Sequence, residues 1–354
     1  MDTHFQFNPQ ALTLAREERG LTQTRLAELM ETNQGTISKV ENGQMVPDRP
    51  FVEAAANALR YPIEFFSNSY PLRELPPTTF RKQKQLSPVV LRSIRARVAL
   101  RRRELEVLMR SVDIPEKRIP LVNLQEENVE PEDVAKHLRA HLRIPRGPIE
   151  NLTKMLEDAG VAVIRFDFGS TKISGMSVYD PRDGMPPMML VNPSMPPDRN
   201  RFTMAHETGH LCFHHHLPWP PPECEAEADR FASELLMPAD DIYSDLRGLT
   251  LEKLAQLKLY WKVSMRALIM RADQLGAIPP NRKRTLLMQM SKMGVAEPVQ
   301  IREEYPSLVR EVATFHIQSL GYNENQLSST LCLHPDEMRQ LYLDLRPHLR
   351  VVSS

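Results

Sequence analysis

His206, Glu207 and His210 stand in the order His-Glu-x-x-His within the run RFTMAHETGHLCFH. Residues four apart on a helix sit about 6 Å from each other on nearly one face. Two imidazoles so placed can hold one metal ion, and zinc takes ligands of this type. Glu207, the next residue round the helix, can face a water bound to that ion and accept its proton. The triplet therefore spells metal-assisted hydrolysis. Gly209 inside the motif costs a helix about 1 kcal/mol, which predicts a close approach there by backbone or substrate.

A catalytic zinc takes three protein ligands and keeps one position open. Glu225 opens E-A-E-A-D on a second predicted helix, EAEADRFASELL, which ends at Met237-Pro238. Glu225 and Asp229 are four apart, so one can bind metal while the other orients a ligand histidine. Glu225 is the preferred third ligand, with Asp229 behind it, and Glu227 and His216 are the alternatives. The His216 spacing calls for a chain-turning Gly where Phe213 stands. His214 lies about 12 Å along the helix from His206, too far to share an ion with both histidines. Cys212 and Cys224 read as bystanders, and Tyr243 and His214 are oxyanion candidates by position.

The elements around these residues form a distinct block. A helix from Asn151 to Ala159 leads into three strand-like runs, VAVIRFDF (161–168), ISGMSVY (173–179) and PMMLVN (187–192), set off by Gly, Ser, Asp and Pro. With RFTMAHETGHLCFH and ECEAEADRFASELLMP in order, residues 150–245 resemble the ImmA/IrrE family of zinc metallopeptidases. The resemblance implies a gluzincin-like site with His206 and His210 as ligands, Glu207 as general base and a downstream Glu as third ligand. It implies a substrate as well, a helix-turn-helix repressor whose cleavage releases its genes. An extended segment of that substrate would add to a sheet edge beside the site. Thr208 departs from the family pattern, where an aliphatic residue is more usual.

Residues 11–66 carry a second function. In LTQTRLAELMETNQGTISKVENG two short helices flank a turn. Thr22 can cap the first, with Leu26, Ala27 and Leu29 pointing inward. Ile37 and Val40 anchor the second, which Asn42-Gly43 ends. Asn33, Gln34, Thr36, Ser38 and Lys39 are left exposed there, side chains able to bond base edges or phosphates in a major groove. Together with the trailing VPDRPFVEAAANAL, the stretch resembles the XRE-type (Cro/CI-like) helix-turn-helix. That resemblance implies that Gln23 and Asn42 lie near the DNA backbone.

Charge qualifies this reading without excluding it. The 354 residues hold 45 Lys+Arg and 45 Asp+Glu, a formal net charge of zero, which excludes coating of nucleic acid by bulk charge. Residues 1–79 have seven Lys/Arg against ten Asp/Glu, whereas residues 81–110 have ten against two. Phosphate affinity must then come from local placement, dimerisation or the basic block. LRSIRARVALRRRELEVLMR in that block reads as a basic amphipathic connector or dimerisation helix. LGYNENQLSSTLCLHPDEMRQLYL, near the end, has the look of another small helix-turn-helix, with Cys332 and His334 structural.

The expected fold is mainly α with a small β-sheet (α+β). Its blocks are a helix-turn-helix domain at 8–70, ending at the Pro71 to Pro77 stretch, and a helical connector at 80–150. A zincin-like metallopeptidase domain at 151–278 and a helical region at 279–354 follow. Three cysteines without a CxxC pair argue against a disulfide framework. No signal segment or apolar run of membrane-spanning length is found, so a cytoplasmic protein with no membrane partner is expected. The function expected is a DNA-binding regulator, homodimeric, with a Zn2+-dependent endopeptidase domain that cuts a repressor protein. The alternatives are a non-enzymatic transcription factor whose pocket senses an effector or metal, and an antitoxin-like regulator acting by protein contact.

Overall fold

The structure, a computed structural model, describes residues 6–67, 87–112, 116–182, 184–217, 221–292, 294 and 297–344. The Pro71 to Pro77 boundary and Pro115 lie outside them. In chain order the helices begin with α1 (Pro9–Glu18), α2 (Gln23–Leu29), α3 (Gln34–Glu41), α4 (Arg49–Leu59), α5 (Pro88–Met109), α6 (Leu124–Glu127), α7 (Pro131–His141) and α8 (Leu152–Asp158). Strands β1 (Ala162–Arg165), β2 (Gly175–Val178) and β3 (Met188–Val191) follow. Then come α9 (Pro197–Phe213), α10 (Cys224–Leu236), α11 (Ala239–Ile242), α12 (Leu251–Trp261), α13 (Met265–Gln274) and α14 (Pro280–Lys292). The chain closes with α15 (Leu308–Gln318), α16 (Glu324–Leu331) and α17 (Pro335–Tyr342). This is the expected α+β class.

The chain divides into two units. One comprises residues 1–75, 81–113 and 309–354, and the other residues 76–80 and 114–308. In the first unit, each helix of the N-terminal module starts at a side chain that accepts a backbone N–H. Asn8 caps α1, Thr22 caps α2, Asn33 caps α3 and Asp48 caps α4. Leu12, Leu26, Ile37, Val40, Val52, Leu59 and Phe66 form the core. Leu29 does not join it. That side chain is 47% exposed, because the turn after α2 comes before its face of the helix meets a neighbour.

Helix α5 is the spine of this unit, burying Ile94, Val98, Leu105 and Leu108. Its arginines answer the acidic N-terminal module at short range: Arg92 lies 3.5 Å from Glu17 and Arg97 3.9 Å from Glu18. Helices α16 and α17 form a tight pair whose turn passes through Cys332 at φ +57°. The acidic first turn of α17 faces arginines of the N-terminal module, Glu337 with Arg19 at 3.3 Å and Asp336 with Arg60 at 3.1 Å. Inside, the Tyr342 hydroxyl donates to Glu104 and accepts from Arg101.

The second unit holds a three-stranded sheet of order β1-β3-β2, with β3 parallel to β1 and antiparallel to β2. Each strand lies inside one of the three runs read from sequence and is shorter than it. Central β3 is buried along its whole length, as a strand covered on both faces should be. Helix α9 crosses the sheet directly over β2. An ideal Cβ on Gly175 would sit 2.5 Å from Thr203 Cγ2, so only glycine admits this crossing. The segment 297–308 straps the unit through carboxylates. Glu297 takes Lys258 at 2.7 Å, Glu304 takes the buried Arg201, and Glu157 accepts the Ser307 and Leu308 amides.

Candidate functional site

Helices α9 and α10 build the metal-type cluster. Where α9 carries Gly209, α10 comes within van der Waals range: a Cβ there would stand 3.1 Å from Ala228 Cα and 3.3 Å from the Phe231 ring. The close approach predicted at Gly209 is made by the α10 backbone. Ala228, Phe231, Ala232 and Leu235 bury that inner face of α10. On its outer side Arg230 bonds Glu132 of α7 at 2.7 Å. The first turn of α10 is thereby held over the His-Glu-x-x-His turn of α9.

Ligand-type atoms converge at this crossing. His206 Nε2 and His210 Nε2 stand 3.0 Å apart, and Glu225 carboxylate oxygens lie 3.7 Å from His206 Nε2 and 3.4 Å from His210 Nε2. Among the described residues these three side chains form the group able to hold a metal ion, their ligand atoms all within 4.8 Å of one another. Two imidazole nitrogens and one carboxylate match the donor chemistry of a three-ligand zinc site. Burial opposes a positive charge on His206, but the Asp229 hydrogen bond and the charges of Glu207, Asp229 and Glu225 outweigh it and raise its pKa. The field that favours a proton there also favours a cation.

The remaining sequence candidates take other places. Asp229 Oδ1 accepts from His206 Nδ1 at 2.7 Å. Glu227 faces His214 instead of the cluster, with Oε2 2.9 Å from His214 Nε2. His214 Nδ1 in turn meets His210 Nδ1 at 2.8 Å, so both nitrogens of this ring are engaged. Burial, with His210 and His215 close by, pushes the His214 pKa down to about 3. His216 stands outside the converging group, among the charges of Lys117, Glu126 and Glu127. Tyr243 is two-fifths exposed, with the Arg247 guanidinium 5.6 Å from its ring centre. Burial raises the Cys212 thiol pKa far above its usual value, which leaves that thiol inert. Thr208 is fully buried, its hydroxyl bonding the Met204 carbonyl at 2.7 Å, so its polarity is satisfied inside α9.

Glu207 has partners that sequence reading missed. Ser177 on β2 donates to Glu207 Oε2 twice, from its backbone amide at 2.8 Å and its hydroxyl at 2.7 Å. His215 Nε2 stands 3.0 Å from the same hydroxyl, and burial, with His210 nearby, pushes its pKa down to about 4. One carboxylate oxygen of Glu207 is thus anchored to an end strand of the sheet. Nothing in the local pattern of ISGMSVY marks Ser177. His215 was hidden in a run of three histidines.

The N-terminal module gathers its polar residues differently. Gln34 Nε2 donates to Gln23 Oε1 at 2.7 Å, and Gln23 Nε2 donates to Glu41 at the same distance. Asn33 accepts from the Thr36 amide and hydroxyl at 2.8 and 3.0 Å, and Asn42 Nδ2 reaches Ser38 Oγ at 3.4 Å. Asn33, Gln34, Lys39 and Asn42 are exposed, while Gln23, Thr36 and Ser38 are half-buried.

Comparison with known proteins bears on both regions. Residues 156–273 match the family Peptidase M78, described as the IrrE N-terminal-like domain, and residues 12–66 match a helix-turn-helix family. No curated protein matches. A solved structure of PlcR from Bacillus thuringiensis, in complex with the peptide PapR7 and DNA, is 14% identical, covering 91% of this chain and 90% of that one. Its TM-score to this chain is 0.17. The chain joins an XRE-type helix-turn-helix, a DNA-binding domain, at residues 12–66 to an ImmA/IrrE-like domain of metallopeptidase type at residues 156–273.

Proposed function

We propose that the ImmA/IrrE-like domain is a zinc-dependent endopeptidase that cuts a helix-turn-helix repressor, and that the N-terminal domain holds the protein on DNA. The observation that carries this reading is the convergence of His206, His210 and Glu225 one residue from a carboxylate tethered by a single oxygen. His206, His210 and Glu225 would hold the ion, with Asp229 fixing the His206 ring. A bound zinc ion supplies Lewis acidity for a water and for the scissile carbonyl. Glu207, steadied through Oε2 by Ser177, keeps Oε1 to accept the water proton and deliver it to the leaving amine. Among the described residues β2 pairs with a strand on one side only, and an extended peptide would lie along its other side, pairing with backbone other than the Ser177 amide that Glu207 holds. Gln23 and Asn42 are assigned to the DNA backbone. Gln34, Ser38 and Lys39 are assigned to base edges or phosphates along the groove, Lys39 to a phosphate, with Asn33 and Thr36 at the helix start.

The test is zinc content of the wild type and Glu207→Gln, beside incubation of each with a cognate repressor. Cleavage by the wild type and none by the zinc-loaded variant is the expected result. Zinc bound by both with no repressor cut by either overturns the peptidase assignment for the repressors tried. A footprint upstream of the gene at low salt tests the DNA assignment, and its absence removes it.

A further inference from the structure

We infer that His214 and Glu227 form a positioning pair for His210, fixing the ring tautomer that leaves a lone pair on His210 Nε2. The inference rests on the metal reading of the cluster and goes beyond it, because neither residue touches the ligand position.

The argument is one of proton direction. A carboxylate only accepts hydrogen bonds, while a neutral imidazole has one donor and one acceptor nitrogen. Glu227 Oε2, 2.9 Å from His214 Nε2, places the His214 proton on that nitrogen. His214 Nδ1 is then an acceptor, and the 2.8 Å contact requires His210 Nδ1 to donate. His210 Nε2 is left with its lone pair. The reverse chain would set a bare His214 nitrogen against a carboxylate, which the short contact disfavours. The outer nitrogen of His206 is held in one step, its Nδ1–H donating to Asp229 Oδ1 at 2.7 Å.

His206 Nε2 stands 3.0 Å from that lone pair. A cation between the two Nε2 atoms and Glu225 meets the His210 lone pair without first displacing a proton from that nitrogen. The relay therefore raises metal affinity without contributing a ligand. His214 is suited to a fixed role, since it follows α9 immediately and its side chain is 2% exposed. Glu227 is two residues from Glu225 on α10, so the helix that supplies the third ligand also supplies the end of the relay.

The experiment titrates the full chain with zinc alone in competition with a chromophoric chelator. Glu227→Leu and His214→Phe should each weaken zinc binding by about 10- to 100-fold, the range found when an outer partner of a ligand histidine is lost. Glu227 is partly exposed at the helix surface, so its variant keeps the test open if His214→Phe does not fold. Nitrogen-15 spectra of histidine in the metal-free protein give a second readout that a merely structural role would not move. The wild type should show His210 protonated on Nδ1, and Glu227→Leu should shift that proton toward Nε2. Unchanged zinc affinity in folded variants, or a wild-type His210 protonated on Nε2, overturns the inference. A wild type that takes up no zinc defeats the metal reading instead. In that protein an Nδ1 proton on His210 would still support the relay, and an Nε2 proton would remove it.

Discussion

Along α3 the polar side chains close on one another and stay near solvent: Gln34 donates to Gln23, Gln23 to Glu41, and Asn33 receives Thr36. Along α9 they are turned inward, and outer partners occupy one nitrogen of each ligand-type histidine while the other nitrogens converge. The difference separates two kinds of polar site. A surface that reads nucleic acid needs donors and acceptors that can exchange a weak local partner for a base or phosphate. A metal site needs lone pairs aimed at one point, held by neighbours that do not move. The first tolerates exposed, short-range bonding, and the second requires buried helices in register.

That contrast can be broken at either end. The largest effect is expected from Glu207→Gln, which should lower the cleavage rate by roughly 10²- to 10⁴-fold, the usual loss on removing a general base. Zinc content and DNA affinity should not change, and a fall in either would show that Glu207 holds structure instead of moving protons. Next comes Gly209→Val. Its Cβ would start 3.1 Å from the Ala228 backbone, so unfolding stability should drop by roughly 3 kcal/mol. Zinc binding should weaken as Glu225 is pushed away. A thermal melt with a zinc titration checks this, and unchanged values would mean that the α9–α10 crossing is looser than its geometry.

Effects at the other site should be smaller. Asn33→Ala removes the cap of α3 and should cost about 1 kcal/mol, read as a lower melting temperature with zinc affinity intact. Smallest is Lys39→Ala, where the dependence of log affinity on log salt should become shallower by about one phosphate contact. No change in that slope would take Lys39 off the DNA. If an α3 variant altered zinc affinity, the two sites would not be independent.

The charge pattern is explained by packing within the first unit. On charge alone an acidic helix-turn-helix is poorly suited to phosphates, and the basic block after it reads as a connector or dimerisation helix that could also supply phosphate affinity. Arg92 and Arg97 of α5 instead lie within 4.0 Å of Glu17 and Glu18, and Arg16 binds Glu41 at 2.6 Å. Part of the excess charge is thus neutralised inside the fold and not offered to a partner. The pair α16–α17 follows the same rule, because the acids at the start of α17 bind Arg19 and Arg60. A recognition helix would keep such a turn free for phosphate, which carries the same sign as those acids.

The legible parts of this protein share one property: their causes are local. The helix start at Thr22, strand runs around Ala162, Gly175 and Met188, and the His-Glu-x-x-His spacing all follow from neighbours within a few positions. Leu29 failed the same reasoning, because its burial depended on a neighbouring helix that did not reach it.

Sequence alone determined that two imidazoles and a carboxylate occupy one turn of one helix, that acidic residues follow on another, and that a capped helix pair precedes both. Tertiary structure decided which acid came inward. Glu225 and Glu227 are two residues apart and chemically identical, so about 200° of helical rotation separates their faces. The approach of α10 to Gly209 sets that rotation, sending one carboxylate to the metal-type cluster and the other to His214. Ser177 owes its place beside Glu207 to α9 crossing β2 at Gly175, a contact across 30 residues of chain that no local pattern encodes.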